Sequence, residues 1–182
     1  MVLDREEAFD LAKVPEEFRG PYDRDKSKYK TNSPVGDILD GQWPSVLIFG
    51  PVGSGKTKLA VEMLVGMANR RTMRPKYFLA ASLLFPWDLK YGFCDRSVCV
   101  LDDYLRFYNP DSQQGQAING VIVERLHNKW PTIITTNASR SMLPGDKIGK
   151  PTGPPNLGDA AILDRLGCGL VVEMLGESKR RR

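Results

Sequence analysis

Residues 50–57 read GPVGSGKT, and few stretches of eight residues narrow the choice of fold so far. Glycines at 50, 53 and 55 let the backbone turn tightly, so that successive N–H groups point at one place. The preceding SVLIFG is a compact apolar run, as a parallel strand covered on both faces should be. The following KLAVEMLVGMANRR has the texture of a helix about 20 Å long. Strand, glycine loop and helix in that order make a phosphate cradle, because the helix N-terminus adds partial positive charge to the loop amides. The stretch fits G-x-x-x-x-G-K-[ST] in the context that pattern requires. It marks Gly50, Pro51, Val52, Gly53, Ser54, Gly55, Lys56 and Thr57 as a nucleotide-binding loop. Lys56 supplies charge for the β- and γ-phosphates, and Thr57 a hydroxyl for Mg²⁺.

Residues 98–104, VCVLDDY, raise the next question, since buried strands seldom end on two adjacent carboxylates. Beside a phosphate loop they have a use. Asp102 terminates the apolar run 46 residues after Lys56 and suits a second Mg²⁺ ligand. Asp103, one step on, is expected to point elsewhere and to orient or polarise an attacking water. Two carboxylates so close in an apolar site repel each other unless a divalent cation offsets their charge. A third apolar run, PTIITTN (131–137), ends in Asn137, which can sit between the nucleotide and the acidic strand. Taken singly, Asp at a strand-to-turn junction and Asn at a strand end are ordinary turn chemistry. The order loop, LDD, TTN is not ordinary.

The rest of the chain supplies the frame. At 182 residues and 41% apolar content it is long enough for one domain with a real core. DREEAFDLAK (4–13) reads as a short helix with Asp4 and Glu7 as a capping box. Residues 20–42 are charged and turn-rich, a surface wrap. KYFLAA, SVCVLDD, PTIITTN and GLVVEML read as strands, and INGVIVERLHNKW as an amphipathic helix. Alternating strands and helices predict an α/β, three-layer domain around a central parallel sheet, of P-loop type. The division is an N-terminal extension, 1–44, wrapping a nucleotide-binding domain, 45–182. Residues 142–158 hold four prolines and four glycines and form a long loop.

Cys94, Cys99 and Cys168 lack metal-ligand spacing, and with no signal peptide they suit reduced thiols in a cytoplasmic setting. His127 is the single histidine, which disfavours zinc; no long apolar span disposes the chain to a membrane. The net charge of +4 lies wholly in Lys179, Arg180, Arg181 and Arg182, for without them 22 bases face 22 acids. That tail is either a phosphate contact or an aid to solubility. Trp43, Trp87 and Trp130 read as core or rim residues, Met63 and Met67 as helix packing. Lys26, Lys28 and Lys30 read as a solvated face, and Arg70, Arg71 and Arg74 as cations closing a helix.

With these motifs assembled, residues 14–180 resemble the AAA+ ATPases, most closely the DnaC/IstB-like group of helicase loaders and transposition ATPases. VPEEFRG is similar to that group's lead-in, GPVGSGKTKLA to its Walker A, and VLDDY to its Walker B, with Asp-Asp where most AAA+ proteins carry Asp-Glu. VERLHNKWPTIITTN is similar to its sensor 1 region and DAAILDRLGCGLVVEMLGESKR to its closing segment. The resemblance implies an AAA+/RecA-like core with ATP and Mg²⁺ as cofactors, Thr57 and Asp102 on the metal, and Asp103 and Asn137 in catalysis. It implies that Arg165 is an arginine finger, that Arg180 falls in a terminal Gly-x-Ser-x-Arg, and that the chain hydrolyses ATP. The partners it implies are further copies in a head-to-tail ring or filament, DNA, and a replicative helicase or a transposase. The place implied is the cytoplasm of a bacterium or of a phage-infected host. Only 49 residues precede Gly50 and the chain stops seven residues after Leu175, so no separate helical lid is expected.

Other readings stay open. A superfamily 3 viral helicase also pairs the loop with a double-Asp strand and a strand ending in Ser/Thr-Asn. A small P-loop kinase is a different class, as is a nucleotide-switched DNA-binding scaffold with little hydrolysis.

Overall fold

Six strands form one sheet in the order β1-β6-β2-β5-β4-β3, parallel except at β1. The structure is a computed structural model describing residues 2–22, 29–31, 39, 42–80, 95–104, 113–137 and 169–175. The strands are β1 (Tyr29–Thr31), β2 (Ser45–Phe49), β3 (Pro75–Leu79), β4 (Val98–Tyr104), β5 (Thr132–Thr136) and β6 (Leu170–Met174). The helices are α1 (Arg5–Ala12), α2 (Lys56–Arg71) and α3 (Gln113–His127), with a 3₁₀ turn at Glu16–Phe18. None of the described helices is long and apolar enough to cross a membrane.

The central strands are apolar throughout because both of their faces are covered. On β2, Val46 and Ile48 join α1 and α2 through Phe9, Leu59, Met63, Leu64 and Met67. Leu47 and Phe49 point the other way and meet Ile118, Val121 and Ile122 of α3. The sheet is thus the middle of three layers, as expected. Each fully buried Leu or Met contributes about 1.5–3 kcal/mol, so α2 is held chiefly by its inward face.

The N-terminal stretch joins this core. Asp4 caps α1 in a reciprocal box with Glu7, and the helix ends at Lys13 in a left-handed conformation. Phe9, Ala12 and Val14 are buried in the α2-side cluster. Arg5 pairs with Glu62 of α2 and donates to the Gly20 carbonyl at 2.9 Å. Residues 4–20 are therefore fixed against the α2-side core. Tyr29–Thr31, inside the stretch expected to be a surface wrap, instead adds an antiparallel edge strand opposite Val172–Met174. Three residues of alternating exposure are too few for periodicity to reveal; pairing with β6 decides them.

At the opposite edge of the sheet, where β4 and β5 begin, lies a fully buried cation. Arg125, 0% exposed, donates from Nε to Thr132 Oγ1 (3.0 Å). Its terminal nitrogens donate to the carbonyls of Asp95 (3.2 Å), Ser97 (2.6 Å) and Pro131 (2.9 Å). The guanidinium also lies 5.8 Å from the Trp130 ring centroid. Nearby, burial would raise the Asp95 carboxyl, but hydrogen bonds from Lys76 and Ser97 and the charges of Lys76 and Arg125 hold it below the usual carboxylate range. One side chain of α3 thus ties down the starts of two strands. Arg125→Leu is expected to cost about 3 kcal/mol by leaving these carbonyls unpaired. Thermal unfolding should register it as a fall of roughly 6–12 °C for a domain of this size.

Candidate functional site

Residues 50–57 connect β2 to α2 at the C-terminal edge of the sheet. Gly50, with φ 142°, passes so close to β6 that a Cβ there would lie 2.5 Å from the Met174 carbonyl oxygen. Gly55, at φ 95°, is the N-cap of α2 and has no side chain to cap it, so the first amides of the helix are left to other acceptors. Lys56 is buried and arches back, its Nζ donating to the carbonyls of Gly50 (3.0 Å) and Pro51 (2.7 Å). Ser54 is 5% exposed, and its hydroxyl has no partner among the described residues.

The acidic strand is not the neighbour of the loop strand: β5 lies between β2 and β4. Asn137 therefore stands between the loop and the acids, as expected from its place after PTIITT. Asp102 still reaches the loop. Its carboxylate accepts from Thr57 Oγ1 at 2.9 Å to one oxygen and 3.2 Å to the other. Two residues that sequence reasoning missed complete its surroundings. Tyr77 of β3 donates its hydroxyl to Oδ2 at 2.8 Å, and Thr135 of β5 donates to Oδ1 at 2.5 Å. Burial first, then the Asp102 charge and hydrogen bond, push the Tyr77 phenol far above its ordinary value. It is a donor at any physiological pH.

Asp103 reaches the cavity in a way that strand alternation does not provide. In a regular strand it would face α3, but its φ is 60° and the register with β5 shifts between Leu101 and Tyr104. Leu101 pairs with Ile134 and Tyr104 with Thr136, so two residues of β4 oppose the single Thr135. This is a β-bulge, with the extra residue in the left-handed region that Asp tolerates better than most. Its effect is specific. Tyr104 resumes packing on the α3 side with Leu101, while Asp102 and Asp103 both line the cavity under the loop. The bulge is held by Thr135 Oγ1, which accepts the Asp103 N–H at 2.9 Å, and by Asn137 Nδ2, which donates to Asp103 Oδ1 at 2.6 Å.

One cavity of about 850 Å³ collects all of this. It is lined by the loop from Val52 to Thr57, by Tyr77, Asp102, Asp103, Thr135 and Asn137, and by Pro15, Glu17, Phe18, Pro21 and Tyr22. The Lys56 ammonium, several hydroxyls and two carboxylates thus share one space with the Phe18 and Tyr22 rings. Such a space suits a polyanion with a flat ring, together with a divalent cation. The unpartnered Ser54 hydroxyl, the uncapped helix start and the Thr57/Asp102 donor set all fit that occupant. Arg165 lies outside the described residues, as do the 142–158 loop, Arg180 and the basic tail.

No protein-family model matches the sequence, and no curated protein matches it either. Solved structures do. AMPPCP-bound DnaA from Aquifex aeolicus is 20% identical with a TM-score of 0.52, covering 78% of this chain and 44% of that one. A replication initiator DnaA bound to AMPPCP and single-stranded DNA is 17% identical (TM-score 0.54), covering 79% and 46%. DnaI is 18% identical (TM-score 0.50), covering 75% of this chain and 72% of that one. The chain spans less than half the length of the two DnaA chains. At these identities the likeness is one of fold. What is shared is the architecture, an α/β domain around a mostly parallel sheet, which is the fold that the AAA+ resemblance implies.

The glycines of the site and of α3 make a controlled comparison. Gly50→Ala is expected to destabilise by about 1–3 kcal/mol, since it combines an unfavourable φ with a backbone clash. Gly120→Ala, in a helix with nothing within 4 Å of the added carbon, should stabilise by roughly 0.5–1 kcal/mol. Urea unfolding midpoints of the two variants, moving in opposite directions, check the assignment.

Proposed function

We propose that the chain is an ATP-binding and ATP-hydrolysing AAA+ protein that acts on DNA, as a helicase loader does in replication or an accessory ATPase in transposition. The observation that carries the reading is the meeting of Thr57 and Asp102 at 2.9 Å beside the buried Lys56, in one cavity. Mg²⁺, when bound, offsets the charge of the phosphates and of the two carboxylates. The chain's own residues do the rest. Amides of residues 50–57 cradle the phosphates, and Lys56 exchanges its loop carbonyls for phosphate oxygens. Thr57 and Asp102 hold the metal. Asp103, steadied by Asn137, orients the attacking water and accepts its proton. Pro15, Phe18, Pro21 and Tyr22 take the base.

The finer points of the proposal rest on the motifs. Arg165 acts as an arginine finger in the site of a neighbouring copy, within a head-to-tail ring or filament. Residues 1–44 are an extension of the nucleotide-binding domain 45–182, and the tail 179–182 contacts DNA phosphates. The single-stranded DNA bound by a DnaA of like fold supports DNA as partner, and a replicative helicase or transposase is the protein partner the resemblance implies. The cytoplasm is the setting in which these partners and reduced thiols occur together.

Nucleotide binding and phosphate release by a set of variants test the reading. Lys56→Ala should lose ATP binding while melting as the parent does. Asp102→Ala should keep much of the binding and lose Mg²⁺-dependent turnover. Undiminished ATP affinity in Lys56→Ala would sink the nucleotide assignment. Arg165→Ala should bind ATP yet lose hydrolysis, by a factor approaching the 10³–10⁵ that such arginines contribute in GTPases. Mixing it with Lys56→Ala should recover part of the activity. A dead mixture of co-assembled chains would disprove the shared site.

A further inference from the structure

Asp102 is 3% exposed and accepts hydrogen bonds from three hydroxyls, only one of which, Thr57, belongs to the phosphate loop. The other two arrive from the strands on either side of β4. Tyr77 (β3) is 8% exposed and Thr135 (β5) 1%, so their packing requirements would be met equally well by Phe and Val. What distinguishes them from those residues is the hydroxyl. Tyr77 grips Oδ2 and Thr135 grips Oδ1, which fixes both oxygens of one carboxylate and hence its plane.

Thr135 carries a second bond. The same Oγ1 that donates to Asp102 accepts the backbone N–H of Asp103, the bulged residue. One rotamer of one threonine therefore sets both the plane of the first acid and the backbone turn that brings the second into the cavity. Asp103 in turn accepts from Asn137. The chain of bonds runs Asn137–Asp103–Thr135–Asp102–Tyr77 without a break.

Building on the nucleotide reading above, we infer that Tyr77 and Thr135 are positioning residues for the metal-binding acid. They hold Asp102 and the Asp103 bulge in the geometry that receives the cation, so that little reorganisation accompanies its arrival. Partners of this kind around a metal ligand typically contribute 10–100-fold in metal affinity. Neither residue touches the phosphates in this role. Their loss weakens the response to Mg²⁺ more than it weakens metal-free nucleotide binding.

The test is a Mg²⁺ titration of fluorescent ATP-analogue binding, with a chelator arm for the metal-free affinity and thermal melting to verify folding. Thr135→Val removes the hydroxyl at constant shape, Thr135→Ser keeps it, and Tyr77→Phe removes the phenol oxygen alone. Expected is a half-saturating Mg²⁺ concentration raised about tenfold or more in the Val and Phe variants, against a change of about twofold or less in metal-free affinity. The Ser variant should stay within about twofold of the parent. Wild-type Mg²⁺ curves for both Val and Phe variants, or a Ser variant as impaired as Val, would overturn the positioning role while leaving the nucleotide reading intact. A parent protein whose nucleotide binding does not respond to Mg²⁺ would overturn both.

Discussion

A carboxylate shut away from water has to be hydrogen-bonded, or its charge makes the folded state costly. Asp102 meets that condition by drawing donors from three different elements: the loop-borne helix α2, β3 and β5. Those elements converge on it in the observed strand order, with β5 between the loop strand and the acidic strand and β3 outside. The sheet order and the position of the loop are therefore not separate features, since together they bring three hydroxyls to one buried carboxylate.

The same requirement accounts for the two ends of the sheet. At the strand tips a buried anion is bound by hydroxyls; at the strand starts a buried cation, Arg125, is bound by carbonyls. The chemistry at each end suits its task. Carbonyls hold a guanidinium permanently and leave nothing for a ligand to displace. Hydroxyls are neutral donors that rotate, so an anion held by them stays available to a cation that can share its oxygens. The buried cation and the candidate site thus sit at opposite ends of the same strands, joined by β4 and β5.

Much of this was legible in the sequence, and the exceptions share a cause. The loop, the three helices and five of the six strands follow from local pattern: uniform apolar runs, glycine spacing, and the Asp4/Glu7 cap. Asp102 and Asn137 were visible because strand ends carrying such groups in that order have few other uses. Tyr77 and Thr135 gave no such signal, because a tyrosine and a threonine in strands are ordinary β residues. Their role depends on which strands become neighbours, and only the topology says so. Arg125 was concealed in the same way inside VERLHNKW, where helical periodicity leaves it looking like one more surface base. Short β1 was invisible because its pairing, not its composition, makes it a strand.

Asp103 is the instructive case, since its place in the cavity does not follow from strand alternation. Alternation along a strand assigns adjacent residues to opposite faces, so LDD on a regular β4 would give the cavity one acid and bury the other toward α3. A buried, unpaired carboxylate against Leu101, Ile118 and Ile122 would be costly. The bulge resolves the conflict by spending one residue in a left-handed conformation, at about 1–3 kcal/mol. That cost is partly offset by the Thr135 and Asn137 bonds to Asp103, and it restores the apolar alternation at Tyr104. Two adjacent acids thereby serve one cavity, which no unbroken strand can arrange. The strain at Asp103 is therefore the local cost of turning two consecutive acids toward one cavity.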